Sequence, residues 1–294
     1  MLVGACLCAS GIGQTAPASP VFSFSPPDPS LQKRLESLLR RPAYARLVRQ
    51  ERISVALVDL SQSEDVRYAG WDDQRMRYAA SLPKIAILLG AFDRVAEGTL
   101  RYTPTLQEKL TAMIRFSSNP AASEVLSLVG FETVSRTLQD PRFRLYDPSR
   151  NGGLWVGKGY GSGVGYWRRD PLHNLSHGAT AEQVARFFVM AERGLLLSPW
   201  VSREILRILS SPGIRHKFVK GLSAYPSARI YRKSGTWKDW HCDAALVENR
   251  GRKYVAVGLV EDPRGGELLA RLIRDLDSLI QDADQFFESS PTTE

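Results

Sequence analysis

Near the start of the chain the apolar, β-branched-rich "ISVALVDL" (53–60) and the shorter "DVRYAG" (65–70) flank a polar turn and read as paired strands. From Ser81 the period changes: Ile85, Leu88, Leu89, Phe92 and Val95 recur at helical spacing. Further helical patterns occupy 105–115, 119–129, 180–193 and 199–210, and another precedes the first strand at 31–50. Residues 140–178 follow neither period and read as irregular. Near the end, "ARIYRKSGTW", "HCDAALVEN" and "KYVAVGLVE" predict three more strands, the last two joined by a polar turn at Asn249-Arg250-Gly251-Arg252. An amphipathic helix over 265–287 closes the chain. Strands at both ends with helices between them are not a βαβ alternation. They predict an α+β fold: an antiparallel five-stranded sheet from both chain ends, flanked by helices, with an all-helical subdomain inserted.

Composition sets broad limits. The 294 residues are 43% hydrophobic, enough to bury a sizeable core. The formal charge of +8 is spread over lysines and arginines that never run longer than a pair. That reads as a solvated basic surface rather than a nucleic-acid footprint, and it suits a cleft for anionic substrates. Of the cysteines only Cys242 lies in the folded body, so no disulfide framework is expected there. No apolar run reaches membrane-spanning length. Residues 1–18 are apolar and small, end on Ala16-Pro17-Ala18, and read as a secretory leader without its basic start, since the first positive charge is Lys33. A start assigned too far downstream would account for the missing charges. Val3-Gly4-Ala5-Cys6 is similar to a lipoprotein processing box. The expectation is an exported protein, periplasmic or secreted, with Cys6 as a candidate lipid anchor. Residues 19–30 read as a Pro/Ser-rich linker, 31–288 as the folded domain and 289–294 as a tail.

The chemistry starts in "RYAASLPKIAILLG" (77–90). Pro83 is tolerated only in the first turn of a helix, which puts the helix start close to Ser81. Ser81 and Lys84 then lie one turn apart, beside the free N–H groups and positive end of the helix. The apolar helix body desolvates Lys84 and lowers its pKa toward that of a base. A serine beside a neutral lysine is an activated nucleophile. Alone the pattern is weak: Ser30-Leu31-Gln32-Lys33 repeats it as an ordinary helix cap. Two later segments separate the copies. Ser117-Ser118-Asn119 precedes a helical pattern, and Lys233-Ser234-Gly235-Thr236 ends a predicted strand.

This ordered set resembles the serine β-lactamase and penicillin-binding protein superfamily, closest to class A β-lactamases, from about residue 31 to the last helix. The resemblance implies roles. Ser81 is the acylated nucleophile and Lys84 its general base. Ser117 relays a proton to the leaving nitrogen, and Asn119 holds the substrate's side-chain amide. Lys233, Ser234 and Thr236 receive the substrate carboxylate, and Lys233 keeps Lys84 deprotonated by repulsion. The Ser81 and Thr236 N–H groups form the oxyanion hole. Gly235 allows close backbone approach. No cofactor and no metal are implied, and a monomer is expected. The partner is a small-molecule β-lactam or a peptidoglycan-like peptide.

The departures matter as well. Class A enzymes carry a deacylating glutamate in E-P-x-x-N. Here the nearest likeness is Asp147-Pro148-Ser149-Arg150-Asn151, so Asp147 is the candidate deacylating base; the other reading is a plain Asp-Pro turn. Ser118 stands where the family has aspartate, and the segment from Lys84 to Ser117 is shorter than in class A. "GGLWVGKGYGSGVGYW" (152–167) lacks G-x-G-x-x-G and reads as a mobile surface loop, with Trp155, Lys158 and Tyr160 as contacts if it instead shapes the site. His173 with His177, and His241-Cys242-Asp243, lack convergent partners for a metal. The reading adopted is hydrolysis of a β-lactam amide through an acyl-enzyme at Ser81. The alternatives are a D-alanyl-D-alanine peptidase or esterase, and a penicillin-binding or sensor protein without efficient turnover.

Overall fold

A computed structural model describes residues 22–24, 26–62, 65–161 and 165–282. The leader with Cys6, the tail and residues 283–287 of the expected closing helix lie outside the described residues. The main sheet holds β1 (Ile53–Asp59), β2 (Arg67–Trp71), β3 (Arg229–Trp237), β4 (Trp240–Asn249) and β5 (Arg252–Glu261). Their order is β2-β1-β5-β4-β3, antiparallel throughout. The first and last strands therefore meet in the middle, from Ile53 opposite Val260 to Asp59 opposite Tyr254. The fold is the expected α+β arrangement.

Helices cover both faces, so β1 is buried at every position. Alternate side chains sort into two cores. Ile53, Val55 and Leu57 pack with α1 (Pro29–Leu39), α2 (Pro42–Arg49) and α10 (Gly265–Gln281). Ala56 and Val58 face the inserted helices: α3 (Lys84–Ala96), α4 (Pro104–Arg115), α5 (Asn119–Val129), α6 (Phe131–Gln139), α7 (Ala181–Glu192) and α8 (Pro199–Leu209). Each fully buried Val, Leu or Ile contributes about 1.5–3 kcal/mol, so both faces anchor the strand that leads toward the site.

Two expectations change. The single helix over 31–50 is two helices, because Pro42 lacks an N–H and disfavours helical geometry at Arg41, whose φ/ψ of −60°/150° is extended. Helix α3 starts at Lys84 rather than Ser81. Ser81-Leu82-Pro83 form a tight lead-in turn, in which the Lys84 and Ile85 N–H groups donate to the Ser81 and Leu82 carbonyls, both at 3.3 Å. Helix α3 is buried on all sides from Lys84 to Asp93, as a central helix must be. A short helix, α9 (Phe218–Gly221), lies between α8 and β3.

Candidate active site

Three segments meet where α3 begins. The first is the Ser81 turn. The second is the Ser117-Ser118-Asn119 stretch between α4 and α5, where the Ser118 hydroxyl caps α5 by accepting from Ala121 N–H at 3.2 Å. Ser118 thus supports the loop with a hydroxyl. The third is the end of β3, an edge strand. Gly235 lets it press against the Ser81 turn: a Cβ there would stand 2.4 Å from the Ala79 carbonyl oxygen and 2.8 Å from the Ser81 nitrogen. Gly235→Ala must push the strand away. Since a misplacement of about 1 Å can cost about a hundredfold, acylation of this variant is expected to slow by that order. Stopped-flow acylation measures it, and an unchanged rate would detach β3 from the site.

Lys84 is wholly buried, and its Nζ donates to the Ser117 carbonyl at 2.7 Å and to Asn119 Oδ1 at 2.8 Å. Lys233, also buried, donates to Ser117 Oγ at 2.9 Å and to the Ser234 carbonyl at 2.7 Å. Ser117 therefore lies between the two ammonium groups. Its φ of 54°, like the 47° of Ala80 just before Ser81, is a left-handed value that non-glycine residues adopt only when their surroundings impose it. Burial lowers Lys84 to about 7. Lys233 is pushed well below its ordinary value by burial first and by Lys84 second. The expected repulsion is thus felt at Lys233, while desolvation suffices at Lys84. Among the described residues, nothing hydrogen-bonds the Ser81 hydroxyl or accepts its N–H.

The structure treats the remaining candidates differently. Asp147 pairs with Arg144 at 2.6 Å and accepts from the Ser149 N–H and hydroxyl at 2.9 and 2.7 Å. Burial raises its pKa, but the bonds from Ser149 and Arg144 outweigh that and leave it below the usual carboxylate range. No hydrogen bond joins it to Ser81, Lys84 or Asn119 among the described residues. Its partners are those of a turn cap, which departs from the part expected of a deacylating base. Residues 152–160 of the glycine-rich segment do not form a free surface loop. Tyr160 is buried, its ring centroid 4.5 Å from Lys84 Nζ and its hydroxyl 3.4 Å from the Ala80 carbonyl oxygen. Its backbone is pinned at both groups by Ser123 Oγ, at 2.7 and 3.2 Å. Trp155 is buried against Tyr146 and Trp167, away from these groups, and the Lys158 carbonyl binds His177 at 2.9 Å.

One group had no sequence signal. Lys217, buried just before α9, donates to the Gly235 carbonyl at 2.6 Å, Thr236 Oγ1 at 2.7 Å and the Cys242 carbonyl at 3.2 Å. Beneath it, Arg232 makes two bonds to the fully buried Asp243, at 2.7 and 2.8 Å.

A serine, two desolvated lysines and an asparagine thus gather beside the end of an edge strand. Residues 100–283 match the family model described as the beta-lactamase enzyme family, and the chain belongs to that family. Solved structures agree at the level of the fold. PBP-A is 20% identical, with 88% of this chain and 97% of that one covered and a TM-score of 0.63. A β-lactamase from Sphaerobacter thermophilus DSM 20745 is 13% identical over 86% of this chain and 97% of that one, TM-score 0.65. A representative class A β-lactamase from Bacteroides cellulosilyticus DSM 14838 is 15% identical over 88% and 100%, TM-score 0.62. No match was found among curated proteins. Among the described residues no helix is long and apolar enough to cross a membrane.

Proposed function

We propose that the protein opens a β-lactam amide by forming an acyl-enzyme at Ser81 and releases the product slowly. The observation that carries this reading is the Lys84–Ser117–Lys233 hydrogen-bonded set beside a Ser81 hydroxyl that has no partner among the described residues. Ser81 Oγ attacks the lactam carbonyl and its proton passes to neutral Lys84. The carbonyl oxygen takes the charge, held by the Ser81 and Thr236 N–H groups. The C–N bond breaks, and the nitrogen receives a proton through Ser117 Oγ. Water then adds to the ester, the C–Oγ bond breaks, Ser81 regains its proton and the acid leaves.

The substrate carboxylate belongs at Lys233, Ser234 and Thr236. An anion there favours the charged form of Lys233, which leaves Lys84 as the neutral member of the pair. Asn119 Oδ1 is engaged by Lys84, so its amide N–H₂ is free to hold the substrate's side-chain amide. Slow release is supported by Tyr160 lying against Lys84 and by the Arg144 pairing of Asp147. The same two facts favour a second reading, a D-alanyl-D-alanine peptidase of this fold that penicillins acylate. Both substrates lie outside the cytoplasm, in keeping with export by residues 1–18.

Intact-protein mass spectrometry during incubation with benzylpenicillin tests the proposal. A long-lived adduct that maps to the peptide holding Ser81 is expected, with slow appearance of hydrolysed drug. Rapid loss of the adduct would make the protein an efficient β-lactamase. Absence of any adduct would overturn the assignment.

A further inference from the structure

We propose that residues 22–24 are a strap that fastens the turn before Asp147, and that the surface between Tyr68 and Arg186 is a docking site whose occupant is this aromatic segment of the chain itself. The inference goes beyond the acylation chemistry and does not depend on it. Arg186 of α7 is buried, and a guanidinium carries five N–H donors in a fixed fork. All five are used. Nε donates to the Phe22 carbonyl at 3.0 Å, and Nη2 donates to that same oxygen. Nη2 also donates to the Phe143 carbonyl at 2.9 Å. Nη1 donates to the Arg144 carbonyl at 2.8 Å and to Gln183 Oε1 at 2.5 Å. Two of the five donors therefore end on one strap oxygen, and without the strap both lose their acceptor.

Aromatic contacts hold the other end. The Phe24 ring stacks on Tyr68, with centroids 4.2 Å apart and planes 6° apart, and Phe22 meets Phe24 edge-on at 5.5 Å. Tyr68 lies in β2, the outer strand of the sheet, and its carbonyl accepts from Asp28 N–H at 2.8 Å, where α1 begins. The strap thus runs from β2 to α7. Its consequence falls on the turn. Arg144 has a φ of 45°, a value that an L residue holds only under constraint. Its N–H donates to the Asp140 carbonyl at 2.8 Å, its carbonyl accepts from Arg186, and its guanidinium pairs with Asp147. Arg186 is the one group that joins strap and turn. The strap fixes the fork, and the fork fixes Phe143 and Arg144. The N-terminal segment is therefore part of what sets the direction of the Asp147 carboxylate.

Hydrogen–deuterium exchange of the full chain tests this without any substrate. Phe22→Ser with Phe24→Ser keeps the strap backbone but removes both rings. Amides over 143–149 are expected to exchange about tenfold faster than in the wild type, the size of one hydrogen bond. Helix α4, which packs on α5 and α8, is expected to exchange as before. Arg186→Lys keeps the charge but has three donors in place of five, and it should give the same local increase. Ser23→Ala, at an exposed strap position, should change nothing. Phe24→Ala alone decides the matter if the double variant does not fold, with about a threefold rise expected over 143–149. Unchanged exchange there in a folded strap variant would make residues 22–24 a passive tail and overturn the proposal, as would a wild-type pattern in Arg186→Lys. An equal rise in α4 and in 143–149 would mean that the rings support the whole fold rather than this turn, and would overturn it too.

Discussion

Lys84→Met is expected to slow acylation of Ser81 by about a thousandfold, in the middle of the range that a positioned general base supplies. The wild-type rate should rise with pH through about 7 and then level. Below that value Lys84 holds its proton and has no lone pair; above it the neutral amine can accept from Ser81. Lys84→Met should lack this inflection. The same substitution strips the Ser117 carbonyl and Asn119 Oδ1 of a donor, at about 1–3 kcal/mol for each acceptor left dry, so some loss of stability is expected as well. Lys84→Arg separates the two effects. A guanidinium can restore hydrogen bonds but keeps its proton at every accessible pH. It should regain stability and stay inactive. A Lys84→Arg enzyme that acylates at the wild-type rate would remove Lys84 from the base position.

The meeting of the three candidate segments was legible because each carries local constraints. Gly235 is required where two backbones touch, Pro83 where a turn hands over to a helix, and the Ser118 hydroxyl where α5 needs a cap. The sheet was legible because β1, β4 and β5 carry apolar runs and polar turns separate the strands. Boundaries were less so. Pro83 fits the lead-in turn as well as a first helical turn, so spacing alone put the helix start one turn too early. Asp147 shows the limit of spacing more sharply. Its segment has the length of E-P-x-x-N, but Tyr146 and Asp147 pair with Gly153 and Gly152, and the carboxylate turns back onto Ser149 and Arg144. Lys217 was not legible as a partner of the motifs, and Tyr160 only as one of three contacts a site-shaping loop would offer. Each reaches its neighbour across the fold, Lys217 over 19 residues to Thr236 and Tyr160 over 80 to Ala80. No periodicity records such a crossing.

Tyr160→Glu is expected to shorten the life of the Ser81 adduct by about a hundredfold or more, the contribution of a general base that the native site does not place there. The native ring fills the space beside Lys84 with an apolar surface, and burial keeps its hydroxyl neutral by pushing its pKa well above the ordinary value. A carboxylate in that position would bring an acceptor for a water proton next to the Ala80–Ser81 turn. It would also change the first half of the reaction. An anion close to Lys84 favours the ammonium form, so the pH at which acylation becomes fast should move upward. The two halves are therefore expected to shift in opposite directions at neutral pH: slower formation of the adduct and faster loss. Tyr160→Gln opens the same space without a base and should alter the lifetime less than about tenfold, since it supplies room for water but no proton acceptor of comparable strength. Mass spectra of a preformed adduct, followed after removal of excess penicillin, measure the lifetime directly. If the Glu and Gln variants lose the adduct at the same rate, water access rather than a missing base limits release, and the proposed slow release has another origin.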